Sequence, residues 1–393
     1  RGTGRVKVAD LPALKQARED ILRLTAASPA LMGQHGFSCF GTGSIFDLMD
    51  SRRMMPTENF ARTHFPSAAG LNAHAYKARY QPRRHGCTGC HVLCKKIAAD
   101  GRSMPEFETM SHFTALIGNA DMELVMAAGD LCNRLGMDTI TAGVTLACHR
   151  EMTGEELTGA RVLELLEAIG AGDGLGAALG QGSARYAASL DHPELSMSVK
   201  GLELPAYDPR GAYGMALGYA TSTRGGCHLR AYPISHEILR KPVATDRFSF
   251  SGKARIIKIA EDVNAAVDSL TACKFLFFAA SLEEYARALA AVTGQPATAQ
   301  SLLAVGERVD YQERMLNAAY GFAAADDDLP ARFFAEQGSG NATLPVPPVP
   351  RQEFLAARAS YYRIRGLDEN GLPTRQTAER LGLDWDLAPK AGA

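Results

Sequence analysis

The stretch Ile256-Ile-Lys-Ile-Ala-Glu-Asp-Val-Asn-Ala-Ala-Val-Asp-Ser-Leu270 decides the fold class. Its apolar residues Ile256, Ala260, Val263, Val267 and Leu270 recur in steps of 4, 3, 4 and 3, which stacks them on one face of an α-helix. A strand would show alternation instead. The helix runs out into Asp268-Ser-Leu-Thr-Ala-Cys273, so a cysteine stands just past its last turn.

The same spacing recurs outward from that segment. Residues Leu11–Thr25 carry it through Leu14, Ala17, Ile21 and Leu22, and Met122, Val125, Met126, Gly129 and Cys132 form another stripe. Arg161–Ile169, Leu175–Leu190 and Thr298–Ala318 read as further helices. Val144–Ala147 is β-rich in composition but sits among helical signals. The prediction is a mainly α chain. Gly-rich loops are expected at His35–Phe65 and Gly201–Pro242, where long connections often carry function. The proline-rich Gly338–Pro350 is expected to run extended on the surface. A boundary where helical periodicity gives way to the glycine-rich stretch divides the chain into residues 1–198 and 199–393, two helical domains.

Composition narrows the function. The chain has 393 residues, 42 Lys+Arg against 43 Asp+Glu, and a net charge of −1. Such balance argues against a nucleic-acid partner or a polybasic membrane anchor. The longest apolar run, near Phe275–Leu282, is too short to span a bilayer, and no signal-peptide pattern opens the chain. A cytoplasmic location is expected, with the eight cysteines reduced. Arg1–Val8 reads as the interior of a longer protein, which suggests a fragment or a processed chain.

Gly86-Cys87-Thr-Gly-Cys90-His-Val-Leu-Cys94-Lys-Lys96 holds a C-x2-C-x3-C cluster. A short turn brings three thiolates to one side, where they can wrap a soft metal centre. Cys273 is the best candidate for a fourth ligand. On spacing alone, an iron–sulfur cluster and a structural zinc with His85 or His91 stand level. A redox Cys-x-x-Cys pair, with Cys273 as core filling, is the plainer alternative.

Glu108 and His112 are four apart and share a helix face, most often a solvated pair or a cap. In Arg224-Gly-Gly-Cys-His228, two glycines let the backbone approach a ligand beside the Cys-His pair. Taken alone, His228 reads as a structural histidine and Asp268 as a cap or surface charge.

Together these segments resemble the aldehyde:ferredoxin oxidoreductase family of tungsten or molybdenum enzymes. The carriers are Cys87-x2-Cys90-x3-Cys94, Pro105-Glu-Phe-Glu108-Thr109 and Leu135-Gly-Met-Asp138-Thr139-Ile140. They continue through Leu204-Pro-Ala-Tyr-Asp-Pro-Arg-Gly211 to Arg224-Gly-Gly-Cys-His228, and end at Asp268-x4-Cys273. The resemblance covers about Val6 to Leu383 and implies the second and third domains of such an enzyme. It implies that Cys87, Cys90, Cys94 and Cys273 hold a [4Fe–4S] cluster, which sets zinc well behind. It implies that Asp268, Ala272 and Asn133 contact a tungsten or molybdenum bis-pterin, and that Glu108, His228 and Thr139 face the metal and substrate. The implied reaction oxidises an aldehyde to a carboxylic acid, with electrons leaving through the cluster to ferredoxin or a ferredoxin-like subunit. Alternatives are a member acting on hydroxycarboxylates or aromatic acyl thioesters, or a non-catalytic cluster-binding remnant.

The sequence also departs from the family. The β-rich N-terminal domain that floors the pterins in the family is expected to be missing from this chain, so the chain alone is expected to keep the cluster ligands, lose the metallopterin and be inactive. Asn133 stands where archaeal members have Asp, and Thr271 stands where the second motif has glycine. Ala127 and Asp130 replace the Glu-x-x-His pair that binds an iron between subunits, so no iron-bridged homodimer is expected.

Overall fold

The computed structural model describes residue 4 and residues 6–387; Arg1 lies outside them. Helix makes up 55% of the structure, and strand is confined to two short ladders. In chain order the elements used below are α1 (Leu11–Ala27), α2 (Ser44–Ser51), β1 (Arg83–His85), β2 (Lys95–Ile97) and α3 (Phe107–His112). Then come α4 (Met122–Leu135), α5 (Thr139–Thr153), α6 (Gly159–Ala171), β3 (Ser198–Val199), β4 (Leu202–Glu203) and α7 (Tyr213–Thr221). The last are α8 (Lys253–Ser269), α9 (Leu282–Thr293), α10 (Ala299–Ala319) and α11 (Arg351–Arg365). No helix of the described residues is long and apolar enough to cross a membrane.

The helices begin and end where local chemistry dictates. Asp138 accepts the Thr141 N–H to start α5, and Asp121 accepts the Glu123 N–H to start α4. Gly136 closes α4 in the left-handed region at φ 72°. The decisive helix α8 packs along α10 and α11. A Cβ at Gly306 would lie 1.8 Å from the Asp262 carbonyl oxygen, so only glycine permits this approach. Arg365 of α11, fully buried, pairs with Glu261 and Asp262 of α8. One large core draws on both halves of the chain, from Leu31 to Leu381. A smaller one joins Val267 to Tyr285 and Leu302.

Three expectations are corrected, and the helical setting read for Val144–Ala147 is borne out. Leu175–Leu190 is not one helix: Gly174–Leu179 and Ser183–Ser189 are separated at Gly180-Gln-Gly182, where Gly182 has φ 84°. Val144–Ala147 is helical within α5. Its β-rich composition reflects burial on every face, since Ala142–His149 are all buried. The two glycine-rich loops contain helices, α2 in the first and α7 in the second. Every residue of α7 is buried, and Gly214 abuts the Glu237 carboxyl. The proline-rich Gly338–Pro350 does not simply lie on the surface. Val346 and Val349 are 3% and 1% exposed, and burying such side chains contributes about 1.5–3 kcal/mol each.

Candidate functional site

The ladder β1–β2 pairs Arg83 with Ile97, Arg84 with Lys96 and His85 with Lys95, and the loop between the strands carries Cys87, Cys90 and Cys94. Lys96 pins the base of that loop. Its buried ammonium donates to the carbonyls of Phe37 (3.1 Å), Leu93 (2.8 Å) and Lys95 (3.1 Å), and burial pulls its pKa down to about 8. Gly41 passes so close beneath that a Cβ would sit 2.7 Å from the Cys94 carbonyl oxygen.

Cys273 reaches the same region from the end of α8. The four thiols feel one another's charge. Burial, then Glu106, Cys273 and Cys90, push Cys94 up to about 11; Cys273 is raised by burial and then by Cys90 and Cys87. Thiolates so placed need a cationic centre to stay ionised. Among the described residues no three His, Cys, Asp or Glu side chains converge as ligands of a single ion. A [4Fe–4S] cube binds each thiolate on a different iron and needs the sulfurs spread around it. Four thiols are a donor set of the kind that holds an iron–sulfur cluster.

Thr271, two residues before Cys273, has φ 53°. A β-branched residue is uncommon there and costs of order 1–3 kcal/mol. The turn geometry explains why glycine suits this position. Ala272 follows it, its N–H bonded to the Val267 carbonyl at 3.1 Å. Asp268 is 44% exposed and pairs with Lys274 at 2.9 Å. Lys274 also donates to the Leu229 carbonyl at 3.0 Å, tying the end of α8 to the segment that carries His228.

A cleft of about 720 Å³ opens between α3, α4 and the start of α5. Glu108, Asn133 and Thr139 line it, as do the basic Lys95, Lys96 and Arg102. Glu106, Asp130 and Asp138 line it too, so it offers cations for a phosphate and carboxylates for the N–H edge of a pterin, and the residues fit such a cofactor here. Asp268, Ala272 and Cys273 lie outside that lining.

Glu108 sits in the first turn of α3. Its Oε2 accepts the Ala206 N–H at 2.9 Å, while its buried Oε1 has no hydrogen-bond partner and lies 3.5 Å from His228 Nε2. Thr139 meets Thr109 at 3.0 Å, Oγ1 to Oγ1. Burial pushes Glu108 up to about 8, against the lowering effect of the Ala206 N–H and with a small raise from Asp138. Burial pulls His228 down to about 3, helped by His112, Arg224 and Lys274. At neutral pH a protonated carboxyl thus faces a neutral imidazole, a pair whose environments push their proton affinities apart.

The glycines before His228 serve a different purpose from the one expected. Cβ atoms at Gly225 and Gly226 would lie 2.3 Å and 2.6 Å from the carbonyl oxygens of Val199 and Leu202. Their backbone packs against the β3–β4 hairpin. Residues missed in the sequence also build the site. Tyr207 and Tyr232 flank the His228 ring with centroids at 5.4 Å and 6.2 Å, and the Ala206 N–H holds Glu108. Tyr207 and Ala206 sit inside the Leu204–Gly211 run, whose density of Pro, Gly and Tyr was the available signal.

The His228 pKa has a stability consequence. The folded state keeps His228 neutral down to about pH 3, whereas the unfolded chain takes up a proton below the ordinary histidine value of 6.5. Stability is lost as pH falls through that window, by about 2 kcal/mol at pH 5. His228→Asn is expected to flatten the acid limb of chemical denaturation between pH 7 and 5. Parallel limbs in the two proteins would refute the depressed value.

The sequence profile described as "Aldehyde ferredoxin oxidoreductase, domains 2 & 3" matches residues 16–383. The chain belongs to the aldehyde ferredoxin oxidoreductase family. The tungsten-containing aldehyde ferredoxin oxidoreductase of Pyrococcus furiosus is 35% identical over 88% of this chain and 60% of its own length. That of Thermococcus kodakarensis is 33% identical over 97% of this chain and 66% of its own length. The chain thus spans about two thirds or less of these curated relatives of the family. A solved structure, the active site complex BamBC of benzoyl coenzyme A reductase with 1,5-dienoyl-CoA, superposes with a TM-score of 0.71 over 98% of this chain and 66% of that one. At 16% identity it shows that the aldehyde ferredoxin oxidoreductase fold is shared.

Proposed function

We propose that this chain is the catalytic part of a tungsten- or molybdenum-dependent cytoplasmic oxidoreductase. It oxidises an aldehyde and water to a carboxylic acid, two protons and two electrons. The electrons leave through a [4Fe–4S] cluster on Cys87, Cys90, Cys94 and Cys273 to ferredoxin or a ferredoxin-like subunit. The observation that carries this reading is the approach of Glu108 Oε1 to His228 Nε2, 3.5 Å apart, beside a cleft lined by both cationic and anionic side chains.

The bound bis-pterin metal centre supplies the two-electron redox chemistry, and the protein handles binding and protons. Asn133 and Asp268 would offer oxygen acceptors to pterin N–H groups, and Ala272, whose N–H is bonded to Val267, would offer its carbonyl. His228, neutral and with Nε2 turned toward Glu108, polarises the aldehyde oxygen by donating a hydrogen bond. Glu108 takes the proton of the attacking water at Oε1. A pKa near 8 makes the carboxylate a stronger base than an ordinary one while leaving a useful fraction ionised near neutrality. Thr139 and Thr109 close the pocket wall beside it.

Metal analysis of the full-length protein, purified without oxygen, tests this reading. About four irons per chain are expected, together with tungsten or molybdenum. Zinc in place of iron would overturn it.

A further inference from the structure

His112 lies behind Glu108 with 0% exposure. Its Nδ1 stands 2.6 Å from the Glu108 carbonyl oxygen and its Nε2 3.3 Å from the Leu204 carbonyl oxygen. Burial lowers the His112 pKa, so the ring is neutral with a single N–H, and the tautomer carrying it on Nε2 donates to Leu204 and ties α3 to that segment. Nδ1 is also 3.6 Å from Glu108 Oε2. The segment Leu204-Pro-Ala206 therefore engages both residues: Leu204 faces His112 through its carbonyl, and Ala206 donates its N–H to Glu108. Pro205 stiffens the segment between them. Behind the histidine, a Cβ at Gly143 of α5 would lie 2.5 Å from His112 Cβ, so the neighbouring helix locks the base of the side chain.

We propose that His112 is a positioning residue for Glu108, clamping α3 to the Leu204–Ala206 segment so that the carboxyl stays aimed at His228. Its part in turnover rests on the aldehyde-oxidation reading, whereas the clamp itself does not. The ring gives Glu108 a polar neighbour on the side away from the cleft. The remaining charged and titratable groups facing Glu108 are His228, Asp138 at the start of α5, and Tyr207, Tyr219 and Tyr232. Those facing His112 are Glu108, Asp138 and His228. Replacing the imidazole by a benzene ring removes both carbonyl contacts and deepens the desolvation of Glu108. The carboxyl then swings from its aim and keeps its proton to higher pH.

In the full-length enzyme, His112→Phe is expected to cut kcat about tenfold to a hundredfold, as loss of alignment does. KM should hold within about twofold, and the ascending acid limb of the pH–rate profile, set by deprotonation of Glu108, should move to higher pH. His112→Gln, whose amide restores one N–H to a carbonyl, should recover part of both effects. An unchanged kcat and pH profile in His112→Phe would overturn the proposal. Infrared titration separates this outcome from failure of the functional reading. The protonated-carboxyl band that disappears in Glu108→Gln should titrate at higher pH in His112→Phe, with or without aldehyde turnover. If His112→Phe does not fold, His112→Leu, which likewise offers no N–H, carries the test, and a band titrating as in wild type would overturn the proposal.

Discussion

Glu108→Gln is expected to lower aldehyde turnover by about two to four orders of magnitude, the range for loss of a general base, while iron and tungsten or molybdenum stay at wild-type levels. Glutamine matches the carboxyl in shape, and its amide oxygen can still accept the Ala206 N–H that holds Oε2 at 2.9 Å. The side chain keeps its place but loses the ability to take up a proton beside His228. Burial already raises Glu108 to about 8, so the neutral amide is tolerated and folding should not suffer. Single-turnover kinetics with metal analysis on the same sample check this. Full activity with full metal content would remove Glu108 from the chemistry.

Cys273→Ala is expected to bleach the visible absorbance of the cluster and lower the iron content, with far-ultraviolet helix content preserved. The cysteine is the proposed ligand that does not come from the β1–β2 loop. It arrives from the end of α8, so its removal asks whether the two elements meet at one centre. Cys90, Cys94 and Cys273 lie close enough to feel one another's charge. Its side chain is not part of the buried core, so the truncation leaves little cavity. A wild-type spectrum and wild-type iron would mean that the fourth ligand lies elsewhere.

Much of the fold was legible because its long helices carry regular stripes. The stripe from Ile256 to Leu270 became α8, and those in Met122–Cys132 and Thr298–Ala318 became α4 and α10. Failures came where tertiary context overrides local pattern. Gly182 breaks 175–190 because its backbone turns beside Glu203, which accepts the Ser183 N–H at 2.8 Å. Val349 enters the core because its N–H reaches the Phe333 carbonyl, which no property of a proline-rich stretch foretells.

The site divides in the same way. Short-range spacing made the Cys87–Cys94 cluster visible and set Glu108 four residues from His112. Nothing local says that Oε1 of Glu108 faces His228, that Leu204-Pro-Ala206 engages both Glu108 and His112, or that Gly225 and Gly226 serve the β3–β4 hairpin.

By itself the sequence determined the helical class, the cysteine cluster and the motifs that mark the family, because periodicity and spacing are written along the chain. Only the tertiary structure decided which groups share a dry pocket. That burial is what turns an ordinary carboxyl into one held near 8 and an ordinary imidazole into one held near 3, since proton affinity depends on water excluded by residues far away in sequence.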